Sequence, residues 1–504
     1  MNYKNIFLLA IVLVFLSIIS CKDQLEEAVY SELLASNAYE TVEDAESLVI
    51  SIYASLRGTD WGTYYEHDYL QLSELPTDYG QDLWDGGSNA LETGTWSNIQ
   101  GESTNLWEGA YGVIASANFA IQILGGMTIE EDVRAGYIAE AKFLRALAYY
   151  DLTFNFGDVI LNIGESSGDL GLSPQADVIA QIVQDLTEAA DVLPGFTTNG
   201  VSRATRGAAL GLRAKTNLNA KNWTAAAADA QSVIDLGQYD LHSSATELFH
   251  VANVRDNEWV FVLMTKDAGA AAVSQLAWHT LDGSYQAGGW GNLAVTDEFY
   301  NSFDMNDARR SNLANGYQDD DKTVNDEGLF QHHAIPGTPE HTNLTADPTV
   351  YVTDKDFAPI VKYLGGNDRF SGSPADYGVN YPILRYADIL LTKAEALNET
   401  GDQSGAMAAV NQIRTRAGLA DLSGLDQVDL SNAILEERGK ELFMEGHRRI
   451  DLVRSGKHAE LWRAGLEAKY PGENFGHVDA TKSVFPIPQS EVDSNSQLGN
   501  SGSN

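Results

Sequence analysis

Tryptophan faces set beside small polar residues are the first feature of this sequence with chemical meaning. Trp278 and Trp290 flank Asp282, Gly283, Ser284, Tyr285 and Gln286, and Gly283, Gly288, Gly289 and Gly291 allow the connecting backbone to form an exposed loop. Trp61, Trp84 and Trp96 stand in a second irregular stretch, with Asp85 and Asn89 as polar neighbours. An indole face covers the flat C–H patch of a sugar ring, and a carboxylate, amide or hydroxyl beside it replaces the water that the sugar loses. The candidate binding residues are therefore Trp278, Trp290, Trp96, Trp61, Trp84, Tyr285, Asp282, Gln286, Asp85 and Asn89, with the stretch 278–290 as first choice. Large aromatics are highly buried on average, so core packing is the ordinary alternative for any one of these rings.

Patterns that would break bonds are weaker. Gly164-Glu165-Ser166-Ser167-Gly168 satisfies G-x-S-x-G, the strained turn that exposes a nucleophilic serine between a strand and a helix. Asp169 to Pro174 follows, and its proline disfavours the helix that such a turn needs. Two carboxylates roughly 5 to 9 Å apart can hydrolyse a glycoside; acidic residues are abundant here, but no spacing singles out one pair. No catalytic residue is assigned. His332, His333 and His341 share a proline-bearing loop without an H-E-x-x-H pair or a cysteine partner, so an ordinary polar loop is expected and no metal or cofactor is assigned. Asp319, Asp320, Asp321, Asp326 and Glu327 offer oxygens of the kind calcium takes, yet the EF-hand spacing is absent and a solvated acidic loop is expected. Glu436-Glu437-Arg438 and His447-Arg448-Arg449 are spaced as structural ion pairs along a helix face, each contributing about 0.2–0.5 kcal/mol.

Charge narrows the partners. Lysine plus arginine total 32 against 71 aspartate plus glutamate, a formal charge of −39, which argues against a grip on phosphate backbones and so against nucleic acid. Neutral ligands are favoured over polyanions, within the limit that salt screens this field beyond roughly 8 Å. At the amino end, Lys4 precedes an apolar run from Ile6 to Ile19, shorter than the about 20 residues of a membrane span. The run ends in Ile18-Ile19-Ser20-Cys21, which is similar to the lipobox of bacterial lipoprotein signals. Cys21 is the only cysteine, so it has no internal disulfide partner, and acylation there is the expectation. Residues 1–20 then form a signal peptide, and the chain hangs from a membrane leaflet through Cys21. Lys22, Asp23, Glu26 and Glu27 resemble the start of surface-exposed lipoproteins of the Bacteroidetes.

Holding recognition loops takes rigid elements, and the apolar periodicity predicts helices. From 129 to 156, Val133, Tyr137, Ala141, Leu144 and Ala148 recur at steps of three and four, and Gly157-Asp158 stops the helix. Similar patterns cover 177–193, 205–220, 225–236, 385–399, 406–416 and 430–445. Leu218-Asn219-Ala220 and Leu397-Asn398-Glu399 each end an alanine-rich helix, followed by a short polar turn and a second such helix, as in tetratricopeptide arrays. A third pair, 107–124 with 130–150, has boundaries left open by Gly109, Gly112, Gly125 and Gly126. The expected fold is predominantly α: a tetratricopeptide-like scaffold of helix pairs at about 30–57, 102–236 and 385–460, with a loop-rich lobe. Irregular insertions at about 58–101 and 237–384 carry the ligand site, all within one domain spanning 21–504.

Five segments carry a specific resemblance. They are Ala139-Glu140-Ala141-Lys142-Phe143-Leu144-Arg145-Ala146, continuing through Tyr149-Tyr150-Asp151-Leu152 to Phe156-Gly157-Asp158-Val159; Ala204-Thr205-Arg206-Gly207-Ala208-Ala209; and Leu384-Arg385-Tyr386-Ala387-Asp388, continuing to Ala394-Glu395-Ala396 and Val410-Asn411-Gln412-Ile413-Arg414. The others are Glu436-Glu437-Arg438 with Glu445-Gly446-His447-Arg448-Arg449, and Phe485-Pro486-Ile487-Pro488-Gln489. In this order they resemble the SusD/RagB family of outer-membrane nutrient-binding lipoproteins across essentially the whole mature chain. That resemblance implies a tetratricopeptide-like scaffold, glycan capture by surface loops without catalysis, and partnership with a TonB-dependent SusC-like barrel.

The expected function is reversible binding of an oligosaccharide or polysaccharide and its delivery to that transporter, with a lean toward a neutral glucan such as a β-glucan. Two alternatives from other classes stand beside it: a surface glycoside hydrolase, and a lid that binds peptides.

Overall fold

Thr41 starts the first helix: its hydroxyl accepts from the Asp44 amide at 3.2 Å, while the Asp44 carboxylate accepts from the Thr41 amide at 2.9 Å. This reciprocal cap satisfies donors the helix leaves open, and such caps stabilise by about 1 kcal/mol. A computed structural model describes residues 39–57, 64–83, 89–164, 169–195, 201–264, 275–280, 291–313, 357–358, 360–363 and 379–498. Among them the helices are α1 (Val42–Ser55), α2 (Leu70–Glu74), α3 (Asn89–Thr93), α4 (Gly101–Gly126), α5 (Glu131–Phe156), α6 (Gln175–Val192), α7 (Arg206–Asn219) and α8 (Trp223–Asp235). They continue as α9 (Gln275–Thr280), α10 (Asp297–Asn301), α11 (Tyr386–Glu399), α12 (Gln403–Arg416), α13 (Gln427–Leu442), α14 (Arg448–Ser455), α15 (His458–Lys469) and α16 (Gln489–Ser494).

The long helices pack in a row, α4 on α5, α5 on α6, α6 on α7, α7 on α8, α8 on α11, and α11 on both α12 and α13. This is the helix-pair scaffold that the alanine-rich repeats predict. Lys221, at φ 60°, and Gly401, at φ 91°, turn the chain between the partners of the two repeated pairs. Buried Leu218, Ala226 and Ala396 then join one pair to the other, since alanine lets helices approach closely. The third pair also forms, with α4 extending from Gly101 to Gly126, so Gly109 and Gly112 lie inside the helix while Gly125 and Gly126 close it. Gly157 ends α5 at φ 80°, with its amide on the Thr153 carbonyl at 3.0 Å.

Arginine forks stitch these layers together. Arg145 of α5 holds Asp185 of α6 through two bonds of 2.8 and 2.7 Å, and Arg213 of α7 holds Asp229 of α8 at 2.9 and 2.6 Å. Arg454 of α14 grips Glu395 of α11 twice at 2.6 Å.

The irregular regions contribute two small antiparallel sheets. One is ordered β1 (Gly80–Asp82), β3 (Leu293–Thr296), β4 (Phe357–Ala358), and the other pairs β2 (Trp259–Leu263) with β5 (Tyr381–Arg385). Every residue of β2 and β5 is buried, because β5 runs straight into α11 and presses the lobe onto the scaffold.

The charged motifs near the carboxyl end depart from the expected helix-face pairs. Glu436 and Lys440 do pair at one-turn spacing, 2.5 Å apart. Arg438, however, is buried and reaches Asp451 at 2.8 Å and Asp388 at 3.0 Å, while Glu437 meets Arg309 at 2.6 Å and Arg414 at 3.0 Å. Arg448 crosses to Asp78, and Arg449 is buried against Asn155 and the Ser483 carbonyl with its guanidinium over the Phe485 ring. A three-to-four spacing of charges looks the same whether water or another element covers the face; here other elements cover it. At the centre, buried Arg385 meets Glu258, Glu441 and Glu445 at 2.6 to 2.7 Å, fixing β2 and β5 to α13.

Candidate functional site

Tyr64–Tyr69 forms a single π-helical turn ahead of α2. Such turns are rare and cluster at functional sites. The hydroxyls of Tyr64 and Tyr65 both donate to Oδ2 of Asp151 on α5, the former at 2.9 Å. The Tyr65 ring also packs between Tyr69 and Tyr381, at centroid distances of 5.1 and 5.6 Å. Burial raises the Asp151 carboxyl to about 7 against the opposing pull of these hydroxyls. The turn is thereby moored to the central scaffold helix.

Further along, the turn carries His67. The Gln71 amide nitrogen lies 2.7 Å from Nε2, and Asp68 Oδ1 lies 2.9 Å from Nδ1, so the network assigns the proton to Nδ1. The His67 ring packs against His279 of α9, tilted at 44° with centroids 4.1 Å apart. His279 is buried, its Nδ1 is 2.7 Å from Asn292 Oδ1, and burial pushes its imidazole down to about 3, with the neighbouring His67 adding to the shift. Trp278, next in the chain, is half-buried. Its carbonyl accepts from the Gly291 amide at 3.3 Å, and the Asn292 carbonyl accepts from the Leu83 amide at 2.9 Å, continuing the β1–β3 register of Asp82 against Leu293.

The consequence is convergence. Tyr64 follows residues 58–63, Leu83 and Asn89 bracket 84–88, and Thr280 and Gly291 bracket 281–290. The described ends of these segments meet at β1, β3, α9 and the π-turn. Asn89 opens α3 half-buried, and α3 is held in place by Glu92, whose carboxylate accepts from the Asp82 amide at 2.7 Å, from Tyr470 at 3.1 Å and from Lys469.

Of the predicted binding residues, Trp278 and Asn89 stand at this junction. Trp61, Trp84, Asp85, Asp282, Tyr285, Gln286 and Trp290 lie outside the described residues, as does Cys21. Trp96 is a correction. It is 6% exposed, stacked at 6° on Trp462 with centroids 5.5 Å apart, flanked by Phe485 at 4.9 Å, and covered by the Lys482 ammonium. Both aromatic partners come from the far carboxyl end, so the polar neighbours of Trp96 in sequence gave no sign of its burial. His67, His279 and Asn292 were missed; the run of tyrosines around His67, close behind Trp61, was the available signal.

Ser166 of the G-x-S-x-G motif lies outside the described residues, and the next helix begins only at Gln175. His332, His333, His341 and the acidic run Asp319 to Glu327 also lie outside them. Among the described residues no group of three or more His, Cys, Asp or Glu is placed to hold a metal ion. Behind the π-turn a cavity of about 10 Å³ is lined by Tyr65, Asp151, Lys215 and His447, too small for a sugar ring. A groove of about 340 Å³ between α12, α13 and Ser302–Asp304 carries none of the predicted residues.

Two family models match the chain. One, described as the SusD family, matches residues 257–501, and the other, described as "Starch-binding associating with outer membrane", matches residues 24–218. A SusD-like protein of Formosa agariphila is 27% identical over 99% of this chain and 98% of its own. The starch-binding protein SusD of Bacteroides thetaiotaomicron is 24% identical over 85% of this chain and 84% of its own. Among solved structures, a SusD homolog of Bacteroides thetaiotaomicron superposes with a TM-score of 0.77 at 25% identity, covering 92% of this chain and 97% of that one. Surface glycan-binding protein A of the same organism, in complex with laminarihexaose, superposes with a TM-score of 0.70 at 23% identity, covering 90% and 98%.

Proposed function

The chain belongs to the SusD family, and from that premise we propose that it captures an oligosaccharide or polysaccharide at the cell surface, breaks no bond in it, and passes it to a TonB-dependent barrel of the SusC type. The observation that carries this reading is the meeting, at α9 and the π-turn, of the ends of segments that contain Trp61, Trp84 and Trp290, beside Trp278 itself. In this reading Trp278, Trp61, Trp84 and Trp290 cover sugar faces, while Asp282, Tyr285, Gln286, Asp85 and Asn89 take up hydroxyls. Gains from ring burial are offset by desolvated hydroxyls and ordered loops, so the affinity is modest, as handover requires.

A neutral glucan is the favoured ligand. The formal charge of −39 disfavours polyanions, and the similar proteins include one named for starch and one bound to laminarihexaose, both uncharged. Cys21, acylated, anchors the chain to the outer membrane with the binding edge toward the exterior. The family description "associating with outer membrane" agrees with that placement.

A glycan array probed with the mature protein, followed by product analysis of each retained sugar, tests the reading. Retention of neutral glucans with chain length unchanged is the expected result. Shortened chains would establish a surface glycosidase instead, and a blank array with peptide retention would establish a peptide lid.

A further inference from the structure

Asp151 lies deep in the scaffold, 1% exposed, with no route to a ligand, yet it accepts the hydroxyls of both tyrosines that begin the π-helical turn. The same turn carries the His67 ring, whose neighbour across space is His279, one residue from Trp278. A single π-turn makes few hydrogen bonds of its own, so its shape depends on what holds its side chains. Here Asp151 holds the start, Asp68 and Gln71 orient His67, and Asn292 holds His279 from the opposite side.

We infer that Asp151 is a positioning residue for glycan capture: through Tyr64 and Tyr65 it fixes the π-turn, and through the His67–His279 ring contact the turn fixes α9 and the Trp278 indole. The inference rests on the proposed glycan-binding role for its consequence, though not for its geometry. The scaffold thus reaches its binding edge through a short rigid arm, and the arm sets how far the indole is ordered before the sugar arrives. Ordering in advance lowers the entropic cost of binding.

The test uses the full mature chain, with laminarihexaose and soluble starch as probes, and reads both affinity and amide hydrogen exchange. In Tyr64→Phe/Tyr65→Phe the exchange of Tyr64–Tyr69 and Gln275–Thr280 should quicken about tenfold and glycan affinity should fall about tenfold, while exchange in α11 and α12 stays unchanged. Asp151→Asn, isosteric and still an acceptor for both hydroxyls, should keep affinity within about twofold of the parent. Unchanged exchange in α9, or quickened exchange with unchanged affinity, overturns the inference; so does an Asp151→Asn variant as weak as the tyrosine pair. If the parent chain binds neither sugar, the proposed ligand class fails while the exchange measurements still decide whether Asp151 orders α9.

Discussion

The rings of His67 and His279 meet at a 44° tilt with centroids 4.1 Å apart, and the second is buried between that ring and Asn292. A protonated His279 has no place in this arrangement, which is why burial pushes it down to about 3. His447 and His458 are similarly held down, to about 3 and about 4, by burial first and then by Lys215 and Arg449 respectively.

These groups set the response to acid. The unfolded chain protonates its histidines near ~6.5 while the folded chain does not, so their contribution falls as pH drops from about 6.5 to about 3. Glu74 and Asp151, raised by burial to about 7, act with the opposite sign across about 4 to 7, because the folded chain keeps protons that the unfolded chain releases, and Asp68, also raised by burial, acts the same way. Against the cost of burial, Lys215 and Arg438 hold Asp388, and Arg438 and Arg454 hold Asp451, below the usual carboxylate range, so both side with the histidines once pH falls to about 4. Urea denaturation should therefore show lower stability at pH 4 than at pH 7. Equal or greater stability at pH 4 contradicts this.

Trp96→Ala separates packing from recognition. Removing a ring stacked on Trp462 and Phe485 should cost about 3–5 kcal/mol in denaturant unfolding. Below the unfolding transition, glycan retention should remain. Loss of retention with stability unchanged would reinstate Trp96 as a contact.

Arg385 and Glu436 form ion pairs of different kinds. Arg385→Met removes the cation that Glu258, Glu441 and Glu445 share, leaving three buried carboxylates to Arg416, Arg309 and Lys362, and should cost about 3 kcal/mol. Glu436→Ala, at an exposed carboxylate, should cost less than about 1 kcal/mol. Comparable costs for the two, read by chemical denaturation, would show that the central cluster contributes no more than a surface pair.

Cys21→Ser tests the anchor. In cells the variant should move from the membrane to the soluble fraction and lose incorporation of labelled fatty acid, since a stable hold needs acyl chains. A variant that stays membrane-bound and labelled places the anchor elsewhere.

The scaffold was legible because helices write their period into consecutive residues: α5 to α8 and α11 to α13 follow apolar steps of three and four, and Gly157 stops α5 where a left-handed residue was needed. Their pairing was legible as well, from alanine and from turns at Lys221 and Gly401. The binding edge was only half legible. Of the aromatic and polar candidates, Trp278 and Asn89 stand at the junction of α9, β3 and the π-turn, but Trp96 is covered by Trp462 and Phe485, residues no local pattern connects to it. The charged motifs are structural, as their spacing suggested, but Asp78, Arg309 and Asp388 on other elements take the partners expected along one helix face. A one-turn π-helix has no period to detect, so the link from Asp151 to His67 and α9 emerged only from the three-dimensional arrangement.

Calorimetric titration of a neutral glucan into the mature protein and into Trp278→Ala/Trp290→Ala probes the central claim most directly. The parent should bind with modest affinity and leave the sugar intact, and the variant, folded to the same melting temperature, should give no binding heat. A variant that binds as tightly as the parent would contradict the account.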